Sequence, residues 1–259
     1  MRLLFAAFLI TIGVAAPALA DDVVPAAAEP QSTPSPSGGP DFLFGRPRAS
    51  ISFSGTWVVP RAGGDLFTFV GNQLTINRSD FRRTGFTGAV GIRVTPQLDV
   101  VSDFEVSVRS IGSEYRQYVK ADRSEIAQTT RFNQSAFAVG ARYFPIGRGQ
   151  DISKYAFVPR RVVPYVGAGA SFVHYTFSQA GEFVDYVDLS IFSHSFSSNG
   201  WAVGPHIDTG ADLQIWRMFF VNVGARYAWG HAKLSSDFVD FDGIDLSGFR
   251  TSTGITIVF

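Results

Sequence analysis

From Leu246 to Phe259 the side chains alternate in character. Phe249, Thr251, Thr253, Ile255, Ile257 and Phe259 form one set, and Arg250, Ser252, Gly254, Thr256 and Val258 the other. A period of two belongs to a β-strand, whose successive side chains point to opposite faces, and here one face is the more apolar. The same alternation recurs upstream. Ile51, Phe53 and Trp57 oppose Ser50, Ser52, Ser54 and Thr56; Phe86, Val90, Ile92 and Val94 oppose Thr87, Ala89 and Arg93. Val100, Phe104, Val106 and Val108 oppose Asp103, Glu105 and Arg109, and Phe137, Val139, Ala141 and Tyr143 oppose Ala138, Gly140 and Arg142. Val203, Ile207, Ala211 and Leu213 face away from His206, Asp208, Asp212 and Gln214, as do Val221, Val223, Ala225 and Tyr227 from Asn222, Gly224 and Arg226. A further strand, Pro164 to Phe177, is neutral on both phases except for His174, and its facing cannot be assigned from the pattern.

Charge separates the two phases completely. Wherever facing is assignable, the apolar phase carries no charge, and the other carries Arg93, Asp103, Glu105, Arg109, Arg142, Asp208, Asp212, Arg226 and Arg250. A soluble barrel would put its charges outside and its apolar residues within. The reverse fits a strand bathed in lipid, where an outward Arg or Lys at mid-bilayer costs ~2–4 kcal/mol. Connections alternate as well: short at 95–98 and 216–218, medium at 145–163, long at about 60–84, 110–129, 178–200 and 232–246. Trp57, Trp201 and Trp229 fall at the loop ends of their strands, and Tyr143, Trp216 and Phe259 at the turn ends, as two aromatic girdles would. The expected fold is all-β: an eight-stranded antiparallel transmembrane up-and-down β-barrel over residues 45–259, with short turns in the periplasm and long loops outside.

The N-terminus reads as export machinery. Arg2, an apolar run from Leu3 to Ala16 and the small-x-small site Ala18-Leu19-Ala20 predict a cleaved signal peptide over 1–20. No cysteine follows the cleavage site, so a lipoprotein anchor is excluded. Residues 21–44, rich in Ala, Pro, Ser and Gly, predict a disordered periplasmic linker. No other run is long enough for a membrane helix, so residence in the bacterial outer membrane must come from the barrel. A formal net charge of zero argues against a nucleic-acid partner, and the absence of cysteine removes disulfide and thiolate-metal chemistry.

The C-terminal strand ending on Phe259, the start Pro164-Tyr165-Val166-Gly167-Ala168-Gly169 and the signal peptide resemble the small OmpA/OmpX-like outer-membrane barrel superfamily over roughly residues 42–259. The resemblance implies recognition of the final aromatic by the barrel-assembly machinery. It implies no peptidoglycan-binding domain, because the chain ends at the barrel.

Functional candidates fall in three places. The inward charges, joined by His206, predict an ionic network that plugs a lumen just wide enough for side chains; a narrow gated pore is the alternative. Pro205 within the sixth strand predicts a β-bulge at the outer rim, or else a lateral opening for small apolar molecules. In the long loops the pairs Phe69-Val70, Tyr118-Val119, Phe183-Val184 and Phe238-Val239 predict a packed extracellular cap, and Leu66, Phe67, Val70 and Leu74 share one face of a short helix. Asp237, Asp240, Asp242 and Asp245 form an acidic loop whose spacing departs from calcium-binding loops. His174, His194 and His231, with Ser193, Ser195, Glu182 and Asp237 nearby, have no diagnostic catalytic spacing. The expectation is therefore a monomeric non-enzyme without cofactor or metal. It contacts outer-membrane lipid and lipopolysaccharide, and serves envelope structure, surface interaction or adhesion through an extracellular ligand that the sequence does not name. Ligand passage at Pro205 is the second reading, and a lipid-modifying or proteolytic enzyme the third.

Overall fold

The structure, a computed structural model, describes residues 43–234, 236–238 and 240–259. The expected signal peptide, and the expected linker up to residue 42, lie outside these residues. Eight strands form the wall: β1 (Ala49–Pro60), β2 (Arg83–Thr95), β3 (Leu98–Val119), β4 (Glu125–Tyr143), β5 (Val162–Val184), β6 (Ile191–Trp216), β7 (Phe219–Ala228) and β8 (Gly248–Val258). Each pairs antiparallel with the next, and β8 pairs with β1 from Gly248↔Pro60 to Val258↔Ser50, closing the barrel. The terminal residue completes the seam. The Phe259 carbonyl accepts from the N–H groups of Arg48 (2.7 Å) and Ala49 (2.9 Å), and its own N–H donates to the Ala49 carbonyl (2.9 Å).

The outward face is the apolar phase. Phe53, Phe86, Phe104, Val106, Ile207 and Ile255 are all exposed, Phe86 by 79%, which only a lipid surrounding makes favourable. The exposed Trp57, Trp201 and Trp229 mark one border of this belt, and Tyr143, Trp216 and Phe259 the other. On β5, the strand whose facing alternation left open, Tyr165, Ser171, Val173, Tyr175 and Phe177 point inward, while Val166 and Phe172 point out.

The wall is uneven in height. β3 to β6 have 22, 19, 23 and 26 residues, against 12, 13, 10 and 11 in β1, β2, β7 and β8, so one side rises well past the ~9–11 residues a bilayer needs. The expected loops at 110–129 and 178–200 are thus two strand hairpins. Their turns lie around Asp122 and Asp188, where the N–H groups of Ser124 (2.9 Å) and Ser190 (2.9 Å) donate to the carboxylates. The Ser124 hydroxyl, which also donates to Asp122 (2.7 Å), and these N–H groups hold both exposed carboxyls below their usual range. Alternation failed to flag this continuation because, above the membrane, neither face must be apolar.

The β1–β2 connection carries helix α1 (Asp65–Gln73), whose Leu66, Phe67 and Val70 are buried, with Leu74 just beyond it. At the opposite end, Gly149–Ser153 and Ala156–Pro159 form a hairpin inside the expected 145–163 turn, and Leu43–Phe44 adds a third strand. Leu43 and Phe44, the last two residues of the expected linker, are thus a strand: Leu43 pairs with Phe157 and packs on the apolar cluster of Phe144, Val163, Tyr165, Phe220 and Val258. Arg46 is ion-paired with Asp151 and fixes the entry to β1.

Inside, the barrel is layered. The turn end holds that small cluster, and the loop end holds a larger one in which Phe67 meets Phe81, Phe132 and Phe177 edge to face at 5.0, 5.8 and 6.2 Å. Phe132 is fully buried at the centre of the larger cluster. Phe132→Ala should lower unfolding free energy by about 3–5 kcal/mol, read by urea titration in detergent, while the folded band keeps its heat-modifiable mobility.

Candidate functional site in the lumen, cap and outer rim

Between the two apolar layers lies a ladder of ion pairs. From the turn end upward, Asp99 meets Arg148, Asp208 meets Arg142 (2.8 Å), Asp103 takes a two-pronged bond from Arg226 (2.8 and 2.6 Å) and Glu105 meets Arg250 (2.9 Å). Asp103 on β3 and Arg226 on β7 belong to strands on opposite sides of the ring, so this pair spans the lumen. Arg226 and Arg250 are direct cross-strand neighbours, a like-charge pairing that is unfavourable unless each finds its own carboxylate, as both do. The planar faces are used too: Arg142 lies over Tyr165 at 4.5 Å and Arg148 over Phe144 at 3.8 Å. A lumen cavity of about 50 Å³ remains among these pairs, lined by Asp103, Glu105, Arg142, Arg226 and Arg250 among others.

The other expected lumen residues divide. Asp212 accepts from Asn222 (2.7 Å), and His206 is buried with its Nδ1 2.9 Å from Ser171 Oγ. Arg109 sits higher, with Nε donating to the Asp80 carbonyl (2.7 Å). Arg93 lies at the turn end over Phe157 (5.7 Å). Three members went unread in the sequence. Asp99 and Arg83 share the inward parity of Asp103 and Arg93, which was sufficient to find them, but both sit at strand ends. Arg83 is buried between ladder and cap, bonded to Ser107 (2.9 Å) and Gln134 and lying 4.8 Å from the Phe132 ring. Arg148 comes from the turn-end hairpin and has no sequence signal.

The cap is built mainly from residues other than the aromatic–valine pairs. Val70, Phe183, Val184 and Phe238 are buried in it, and Val239 lies outside the described residues. Val119 and Phe69 are exposed, contrary to expectation, because each lies on the outer phase of its strand or helix; Phe69 touches Phe241 from outside (5.5 Å). Tyr118 packs on Tyr115 (6.0 Å) and Tyr186 (6.1 Å), and the partial burial of this cluster pushes the Tyr186 phenol up to about 12. The tip of the β5–β6 hairpin leaves Tyr186, Leu189 and Phe192 exposed, and Val187 94% so.

At the outer rim β6 and β7 part. The last pair is His206↔Ala228, after which Trp229 N–H reaches the Pro205 carbonyl (3.0 Å). Pairing of β5 with β6 runs through Pro205 without a register shift, so the expected bulge is absent. The proline, which has no N–H to donate, stands where the ladder to β7 stops. The resulting cleft of about 490 Å³ is lined by Arg61, Val203, Pro205, Trp229, His231 and Asp245 with several glycines. Its floor is Gly230, packed towards the buried Ala202 and Leu246 of the cap.

The expected catalytic candidates do not converge. His174 leans on Trp201 (4.9 Å), His194 on Phe196 (4.5 Å), Glu182 pairs with Lys120 (2.7 Å) and Asp237 accepts from the Ser197 N–H (2.8 Å). Ser171, His206 and Asp208 line up inside the wall, but the Asp208–His206 separation of 3.9 Å is too long for a hydrogen bond and Asp208 serves Arg142. Among the described residues no group of three His, Cys, Asp or Glu is placed to hold a metal, and Asp245 instead faces Arg61 (3.7 Å). Removing one member of the ladder exposes the logic of the rest. Asp103→Ala should cost about 3–5 kcal/mol by leaving Arg226 uncompensated, whereas pairing Asp103→Leu with Arg226→Met should recover most of it in the same urea titration.

No protein-family model and no curated protein matches the chain. Solved structures do. The outer membrane protein OprG from Pseudomonas aeruginosa is similar at a TM-score of 0.50 and 10% identity, over 85% of this chain and 99% of that one. Neisserial surface protein A follows at 0.45 and 13%, over 85% and 97%, and the N-terminal β-barrel domain of Pseudomonas aeruginosa OprF at 0.40 and 11%, over 83% and 100%. With its closed eight-stranded ring, apolar outer belt and likeness to OprG, the chain has the fold of a small antiparallel eight-stranded β-barrel such as that outer membrane protein has.

Proposed function

We propose that this barrel conducts nothing through its lumen and serves instead at the cell surface, through the cap and the raised β3–β6 wall. The carrying observation is the ion-pair ladder sealed above by the aromatic cluster, with a cavity of only about 50 Å³ among the ladder's side chains. A buried network of four ion pairs is expensive to open, since any rearrangement strands ions in a low dielectric. The exposed apolar tip at Tyr186, Val187 and Leu189 supports a role in surface interaction or adhesion, because apolar side chains held away from the core favour a partner. In this reading the protein is a monomer without cofactor, bathed in outer-membrane lipid and lipopolysaccharide. The seam residue Phe259 is then what the barrel-assembly machinery reads. Enzymatic activity is not part of the proposal, given the dispersed histidines.

The rim cleft supports a second activity: binding of a small apolar or amphiphilic molecule beside Pro205, with the packed floor at Ala202 and Leu246 favouring binding over passage.

Purified protein in planar bilayers should give no current steps; a steady conductance would sink the closed-lumen reading. A fluorescent fatty acid should bind saturably, and Val203→Trp, which adds bulk to an exposed side chain of the cleft wall, should weaken it about tenfold, the equivalent of ~1.4 kcal/mol.

A further inference from the structure

We propose that the turn end of the barrel, where β5, β6 and β7 meet, holds the phosphodiester headgroup of an anionic phospholipid from the adjoining leaflet, with Arg161 and Arg217 as its ligands and Arg160 beside them. This is a specific headgroup site, independent of the cap and of the rim cleft, and it goes beyond the general lipid contact of the belt.

Gln214 ties the two ligands together. Its main-chain N–H donates to the Arg161 carbonyl (2.8 Å), and its side-chain amide donates to the Arg217 carbonyl (3.1 Å). Two guanidiniums therefore spring from one patch of rim. Arg160, Arg161 and Arg217 are exposed, and none of the three stands in an ion pair among the described residues. The carboxylates at this end are already engaged: Asp151 with Arg46, Asp99 with Arg148 and Asp212 with Asn222. What is left is uncompensated positive charge at headgroup height, and guanidinium forks match phosphate oxygens two at a time.

An acyl wall adjoins the charge. Val162, Ile215 and Trp216 are exposed by 50, 62 and 56% next to these arginines, and the Trp216 ring is held rigid by stacking on Phe219 (5.8 Å, 7° between planes). The turn itself is the second sign. Arg217 is the first residue of a two-residue hairpin turn and has φ 24°, a left-handed conformation normally given to glycine there. Strain of this kind clusters at ligand clamps and switch regions, and here it falls on an arginine.

The test uses the full-length barrel with Trp57, Trp201 and Trp229 changed to Phe, which leaves Trp216 as the last of its 4 tryptophans. The protein is reconstituted in phosphatidylcholine vesicles containing a few mole per cent of either brominated phosphatidylglycerol or brominated phosphatidylcholine. Brominated phosphatidylglycerol should quench Trp216 about threefold more strongly at equal mole fraction, through enrichment by the two guanidiniums. R161A/R217A should bring the two lipids level while leaving heat-modifiable mobility unchanged. If that pair does not fold, R217G relieves the strained turn and should by itself halve the preference, roughly as loss of one of two ligands predicts. Equal quenching by both lipids in the parent, a preference that survives R161A/R217A, or one left undiminished by R217G, overturns the site.

Discussion

In lipid a backbone N–H or C=O has no water to turn to, and that constraint fixes the rest of this molecule. A sheet can meet it only by closing on itself, and closure here runs through the β8–β1 seam to the last residue of the chain. Eight strands give an interior of side-chain width. Since the outward phase must be apolar, polar residues needed to specify one register have to lie inside, where each charge must find a partner. The ladder from Asp99–Arg148 to Glu105–Arg250 is the consequence of closing a small barrel in lipid, not an addition to it.

The same logic explains why the interior changes character along its length. Within the membrane the core is polar and the surface apolar. Above it β3 to β6 emerge into water, and the ordinary soluble arrangement returns: Phe132, Tyr175 and Phe177 turn inward on the very phase that carries Arg142 and Ser171 lower down. Arg83 stands at this boundary, its guanidinium bonded to Ser107 and Gln134 on one side and facing the Phe132 ring on the other.

This change of character sets what could be read from the sequence. Inside the bilayer the two phases differ so sharply that strand facing is legible from alternation alone. That of β5 is not, because its inward phase is apolar too, with Val163 and Tyr165 at the turn end and Val173, Tyr175 and Phe177 above, so neither phase stands out. The raised hairpins read as loops in the sequence because above the membrane neither face must be apolar. Arg148 escaped because its hairpin packs from beneath the barrel, where no period in the sequence ties it to Asp99. At Pro205 the sequence leaves a bulge and an opening as alternatives, and the pairing shows the missing N–H at the end of a ladder with no residue inserted.

The seam has a further consequence for how the cylinder finds its final form. A hydrogen-bonded edge is nearly indifferent to sliding by two residues, since each slip restores the same bonds and the same facing. Side chains break that degeneracy. Only one alignment of β8 puts Arg250 level with Glu105 while Arg226, its cross-strand neighbour, keeps Asp103 across the ring. A misaligned closing strand would shut the wall and yet leave a buried carboxylate without its counter-ion. The interior charges thus act as a vernier, reporting on the inside whether the last strand has docked at the right height.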